Sequence, residues 1–204
     1  GSLRQVIQRL SKEPEWWDEI IKLADMARQN NIGPDALIEM GKSSWTSYQT
    51  LLPAASGGLA NYHGQLKAEL DATLSRLPGD STKKTQDATG ALKEISQTLD
   101  AMNDISWQSI VKISKVDPGK GSAAIVQNLK ELARQHLYSQ SFHDDIESYI
   151  NGQFRCAADC LSVYKQFKAE RGLLDFIDQE YLAFSLLKNR EISEGLASRF
   201  SALF

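Results

Sequence analysis

The apolar residues Ile146, Ile150, Phe154, Ala157, Leu161, Tyr164 and Phe167 follow one another at steps of three and four. Such spacing lines one face of an α-helix, whereas in a strand it would fall on both faces. It predicts one long helix over about residues 141–171. Gly152 interrupts the line, at roughly 1 kcal/mol for a glycine in a helix interior, without forbidding it. Gly172 ends it as a C′ residue. The same period recurs upstream. Trp16, Trp17, Ile20, Ile21, Leu23, Ala24 and Ala27 predict a helix from Pro14 to Asn30, with Pro14 in its first turn. Leu37, Met40, Trp45, Tyr48 and Leu51 predict another from Pro34 to Leu52, and a third runs from about Leu59 to Leu77. After the turn at Pro78-Gly79-Asp80-Ser81, Asp80 or Ser81 can cap a helix carrying Ala91, Leu92, Ile95, Leu99 and Met102. Ser106 to Ser114 is the one β-like run; it is read as helix with Trp107, Ile110 and Val111 inward. Lys115 to Ser122 is a basic, glycine-containing loop, and Ala123 to Tyr138 resumes the helical period through Ile125, Leu129, Leu132 and Ala133. No block repeats at a period of 20 to 50 residues. The fold class is therefore all-α, an irregular multi-helix bundle.

Composition narrows the function. With 42% hydrophobic and 24% charged residues the 204-residue chain is globular, not disordered. Its 23 Lys and Arg against 26 Asp and Glu give a net charge of −3, which excludes a protein that coats nucleic acid through bulk charge. The charge is uneven, however. Between Ile105 and Gln140 the balance is +3, carried partly by Lys112, Lys115 and Lys120, and the remainder of the chain is −6. A basic segment on an acidic molecule can follow a phosphate backbone, with these three lysines as candidate contacts, although a solvated loop with ordinary lysines is the commoner outcome of such a pattern. The longest uncharged stretch, Ser43 to Leu66, holds Pro53, Gly57, Gly58 and many polar side chains, so no membrane span is expected. Two cysteines, Cys156 and Cys160, fit a reducing, cytoplasmic setting.

Several chemical patterns fail on spacing. Pro118-Gly119-Lys120-Gly121-Ser122 looks like a phosphate loop, but Ser114 and Gly121 stand where that loop needs a glycine and a Ser or Thr. Cys156 and Cys160 with His136 or His143 match no metal-ligand spacing, and on the apolar side of a helix they read as small core residues. Ser81 to Lys84 and Ser109 to Lys112 spell Ser-x-x-Lys without the companion motifs of serine acyl enzymes. Trp16, Trp17, Trp45, Trp107 and Tyr48 could stack bases, yet at helical spacing among Leu and Ile they read as core. No catalytic residue and no metal site is assigned.

The run from Tyr164 to Asp178, Tyr-Lys-Gln-Phe-Lys-Ala-Glu-Arg-Gly-Leu-Leu-Asp-Phe-Ile-Asp, with Leu182, Leu186 and Leu187 after it, carries more information. It resembles the segment of UvrD/Rep-like superfamily 1 DNA helicases in which a long helix ends at a glycine, an LDFxD turn follows, and a short leucine-rich helix leads on. Gly172, Leu174, Asp175, Phe176 and Asp178 are the matching positions. They are read as fold-defining: Gly172 stops one helix, Asp175 caps the next, and Phe176 anchors the junction in the core. Gln179 and Glu180 depart from the family, which usually has two apolar residues there. The resemblance covers residues 140–204.

The resemblance implies that residues 3–139 form the helical insertion known as subdomain 1B. Residues 140–204 would then lead back to the first RecA-like lobe and stop short of its magnesium-binding acids, while Gly1-Ser2 look like the remnant of a cleaved tag. The expected function is to contact or brace DNA at a single-strand/duplex junction within an ATP-dependent 3′–5′ helicase. ATP and Mg²⁺ would be bound by other parts of the parent protein, so this stretch alone holds no cofactor and no ATPase. It could self-associate through the surface that faces the lobe. The alternative is a free-standing helical scaffold or protein-interaction domain that does not bind DNA. An enzyme with its own buried site has the least support.

Overall fold

The computed structural model describes residues 3–10, 16–56, 61–79, 81–102 and 105–199. Among them are ten α-helices and no strand, the all-α class read from periodicity. In chain order they are α1 (Leu3–Leu10), α2 (Trp16–Gln29), α3 (Pro34–Gln49), α4 (Tyr62–Arg76) and α5 (Lys83–Met102). There follow α6 (Trp107–Ser114), α7 (Gln127–Arg134), α8 (Gln140–Arg171), α9 (Phe176–Leu187) and α10 (Arg190–Ala197). Short 3₁₀ turns occupy Leu77–Gly79, Lys120–Ser122 and Gln135–Tyr138.

The long helix predicted at about 141–171 is α8. The β-like run is helical because the Ser106 hydroxyl, as N-cap, accepts the Ser109 N–H at 3.3 Å. Its inward face is Trp107, Ile110 and Ile113; Val111 is only half-buried, so the expected inward position moves from Val111 to Ile113. The helix predicted from Ala123 begins at Gln127, since residues 123–126 form a turn. The expected starts at Pro14 and Leu59, and the Asp80 cap, lie outside the described residues. α1 is an element that the pattern did not delimit.

The chain divides into two units, one of residues 1–16 and 42–152, the other of residues 17–41 and 153–204; the divisions fall at the start of α2 and within α3 and α8. The core of the first is built from two stripes. Tyr62, Leu66, Leu70 and Leu77 descend one face of α4 and its terminal turn, and Ala88, Leu92, Ile95 and Leu99 line α5. Trp107, Ile110 and Ile113 of α6, Leu129 and Ala133 of α7 and Phe142 of α8 complete the cluster. Gly152 also has a structural reason: Leu3 Cδ1 lies 2.6 Å from where a Cβ would stand.

A polar knot sits inside this apolar unit. Asp145, only 7% exposed, accepts Arg9 Nε at 2.8 Å and the Trp107 indole N–H at 2.8 Å. Burial pushes this carboxyl's pKa up, but the Arg9 and Trp107 hydrogen bonds outweigh it and hold the group below the usual carboxylate range. Beside it, Phe142 meets Trp107 and His136 edge-on, at centroid distances of 5.1 and 4.9 Å.

His136 is buried, and its Nδ1 lies 2.7 Å from the Ala133 carbonyl oxygen, to which a neutral ring protonated at Nδ1 donates. Burial lowers its pKa below the ordinary 6.5, with the Ala133 bond opposing. The unfolded chain therefore takes up this proton first, and the first unit should lose stability as pH falls below about 6.5. Melting curves by circular dichroism from pH 7.5 to 5.5 should show the loss, and His136→Phe, which keeps the aromatic contact, should flatten the profile.

The second unit comprises α2, the start of α3, the second half of α8, and α9 with α10. Its fully covered side chains include Ile20, Ala27, Leu37, Ala157 and Ala158. Two of its helices end alike. Asn31 (φ 53°) follows α2 and Gly172 (φ 62°) follows α8, each in the left-handed region. In both, the next N–H reaches back five residues: Ile32 to the Ala27 oxygen at 2.8 Å, Leu173 to the Lys168 oxygen at 3.0 Å.

Candidate functional site

Within the second unit, Gly172 turns the chain from α8 into α9. Nothing lies within 4 Å of a Cβ added there, so the demand for glycine comes from the backbone alone. Gly172→Ala should cost about 1 kcal/mol in a urea titration, the strain of a left-handed alanine, without altering the core.

Asp175 is the N-cap of α9 and forms a reciprocal box. Its Oδ1 accepts the Asp178 N–H at 3.0 Å, and Asp178 Oδ2 accepts the Asp175 N–H at 3.0 Å. The other oxygen, Asp175 Oδ2, gathers three donors: Arg28 Nη1 at 2.7 Å, Lys168 Nζ at 3.1 Å and the Tyr164 hydroxyl at 3.1 Å. Lys168 Nζ also donates to Asp178 Oδ2 at 2.5 Å and lies 4.7 Å from the centre of the Tyr164 ring. The Asp178 N–H first, and then Lys168 and Tyr164, pull the Asp175 pKa down to about 2 against the opposing effect of burial. Lys168 is 8% exposed; burial alone would lower its pKa, but the two carboxylates override it and hold the ammonium above its ordinary value.

Gly172 thus stops α8, Asp175 caps α9 and Asp178 completes the box. Phe176, expected to anchor the junction in the core, is 83% exposed, and Ile177, half-buried, stands on the covered side instead. Each step along a helix turns the side chain by about 100°, so with Ile177 and Asp178 facing inward Phe176 projects outward. Leu174 is also exposed. Nothing in the sequence marks Arg28, Tyr164 and Lys168 as polar partners of Asp175 except the Lys168–Asp175 spacing, two helical turns across a helix stop. Together with Ile32, Leu161 and Tyr181, Arg28 and Tyr164 line a cleft of about 210 Å³.

In the first unit, Lys112 lies on α6, Lys115 caps its end and Lys120 opens the 3₁₀ turn at Lys120–Ser122. All three are exposed, and none makes an ion pair among the described residues. The loop between them is pinned to the start of α5: the Gly119 N–H donates to Thr85 Oγ1 at 3.0 Å, and Lys84 pairs with Asp117 at 2.6 Å. The second bond adds Lys84 to the basic segment, and the Lys84 ammonium holds the Asp117 pKa below its usual value. They also dispose of the phosphate-loop pattern. The Gly119 N–H is committed to Thr85, the Ser122 N–H to the Gly119 oxygen at 2.9 Å, and Ser122 is buried, so these residues do not fit a nucleotide phosphate.

Trp45 and Trp107 are buried, as read, whereas Trp17 and Tyr48 are exposed. Cys160 is exposed too, so only Cys156, half-buried, approaches the expected core position. Among the described residues no group of three or more His, Cys, Asp or Glu side chains could hold a metal ion, and no helix is long and apolar enough to cross a membrane.

No protein-family model and no solved structure matches the chain. Among curated proteins it is similar to an ATP-dependent helicase/nuclease subunit from Syntrophomonas wolfei subsp. wolfei, with 24% identity over 202 residues. That alignment covers 98% of this chain and 14% of the relative, so the chain spans about a seventh of that protein's length. The likeness ties the chain loosely to helicases.

Proposed function

We propose that this chain is the helical, DNA-contacting or bracing region of an ATP-dependent 3′–5′ DNA helicase of the UvrD/Rep type. Residues 3–139 are the helical insertion and residues 140–204 the return toward the first nucleotide-binding lobe. The observation that carries the reading is the 202-residue similarity to a helicase/nuclease protein, which extends far beyond the LDFxD segment that first suggested it. The composition of α9 supports it as well. Phe176, Leu182, Phe184, Leu186 and Leu187 are all exposed, and α9 has no buried residue. A helix whose second half, Leu182 to Leu187, is apolar apart from Ser185 ordinarily lies against a larger core. Such a core would be supplied by the lobe in the parent protein, and without it the same surface favours self-association.

In this reading ATP and Mg²⁺ belong to the parent, in the cytoplasm, and the chain alone hydrolyses no nucleotide. Its own contribution is a phosphate-tracking surface at Lys112, Lys115 and Lys120. Three lysine–phosphate contacts imply an affinity that falls about 40-fold between 50 and 200 mM salt. Titration of forked and blunt DNA by fluorescence anisotropy should show weak binding with that dependence, and Lys112→Glu/Lys115→Glu/Lys120→Glu should abolish it. Binding that ignores salt or survives the triple substitution refutes the assignment of these lysines. Absence of binding at 50 mM salt favours the competing reading of a protein-interaction scaffold, which draws on the same exposed face of α9.

A further inference from the structure

In the second unit, α9 and α10 are attached in an unusual way. Of the twelve side chains of α9, only Ile177 and Asp178 are even half-buried, both in its first turn; the rest are exposed. α10 likewise has no buried residue, and only Ser193 and Leu196 are partly covered. A pair of helices in a core is normally held along its length by apolar contacts. Here, among the described residues, the attachment is concentrated at one end and is mainly electrostatic.

The connection before it is thinly covered. Once the Leu173 N–H has closed on the Lys168 oxygen at 3.0 Å, no apolar packing holds the link: Leu173 and Leu174 are 49% and 61% exposed. Immediately after it come the ion pairs: Arg28 of α2 and Lys168 of α8 on Asp175, and Lys168 on Asp178. We infer that α9 and α10 form a swinging arm hinged at residues 172–174, held in place by an electrostatic latch of Arg28 and Lys168 on Asp175 and Asp178. The inference does not depend on the helicase reading; it rests on where the side chains of α9 are covered and which charges meet there.

The charges around the latch define its response. Arg28 also approaches Asp25 of α2 at 3.7 Å, Tyr164 of α8 donates to Asp175, and Lys165 and Tyr181 line the adjoining cleft. The carboxylates gather on one side of the hinge and their cations come from two other helices, so removing the cations frees the arm while leaving the capping box of α9 intact.

The test is a distance measurement on the full chain. Nitroxide labels at Val163→Cys and Leu187→Cys, with Cys156→Ser and Cys160→Ser, report α8 against the end of α9 by double electron–electron resonance. A single narrow distance distribution is expected with the native latch, at least twofold broader with Arg28→Gln/Lys168→Gln, and narrow again with Arg28→Lys alone. Circular dichroism should show unchanged helix content throughout. The inference is overturned if the native latch already gives a broad distribution, if the double substitution leaves it unchanged, if Arg28→Lys broadens it as much as the double substitution does, or if helix content collapses so that the pairs hold the whole unit.

Discussion

Asp145→Ala should lower the stability of the first unit by about 2–3 kcal/mol, since a buried indole donor is left unmet and an ion pair exposed on its Arg9 side is lost. The carboxylate joins three helices, taking Arg9 from α1 and the Trp107 indole from α6 while itself standing on α8. Its removal strands the Trp107 N–H in the core, where an unmet donor costs about 1–3 kcal/mol. Arg9 is less affected because its side chain is 41% exposed and can return to water. Asp145→Asn keeps the shape and one acceptor, so its loss should be roughly half as large. Urea titration followed by tryptophan fluorescence separates the two. Equal effects from Ala and Asn would mean that charge, not the indole hydrogen bond, dominates the site.

The second large effect is expected at Asp175. Replacement by alanine removes an N-cap, worth about 1 kcal/mol, and leaves Arg28 and the nearly buried Lys168 short of an acceptor, for a total of about 2–3 kcal/mol. Lys168 retains Asp178 and Arg28 retains Asp25, which limits the loss. The pH dependence follows from the carboxyl's pKa of about 2 in the fold against an ordinary 3.8. A depressed value means that the fold favours the ionised form. The stabilisation is therefore complete above about pH 4 and is lost as pH falls from there through 2. Asp175→Asn retains a capping oxygen without the charge. It should melt earlier than the native chain at pH 7 and lose less on going to pH 3; parallel profiles for the two proteins would show that Asp175 does not set the acid limb.

The junction at Gly172 and Asp175 shows how far local reasoning reaches. A glycine after a long apolar period, then an aspartate three residues on, mark a helix stop and an N-cap, because the bonds involved span five residues or fewer; the return bond from Asp178 appears only in the fold. Phe176 marks the limit. Its apolar character suggested a core anchor, but burial is a property of what surrounds a side chain, and the box directs Ile177 inward instead. Cys160 fails for the same reason: it stands one turn beyond the covered Ala157 on α8 and is itself exposed.

The candidate DNA contacts divide similarly. Lys112, Lys115 and Lys120 could be read from local charge, whereas Lys84 joins them only because Asp117 and Gly119 fasten the loop to α5, 33 and 34 residues away in the chain. The sequence by itself determined the all-α class, the long helix, its stop and the cap that follows, since backbone conformation and helical period are settled between near neighbours. Only the tertiary structure decided which apolar faces are covered and which charges meet. Arg28 and Asp175, 147 residues apart, acquire a common position only when the chain has folded.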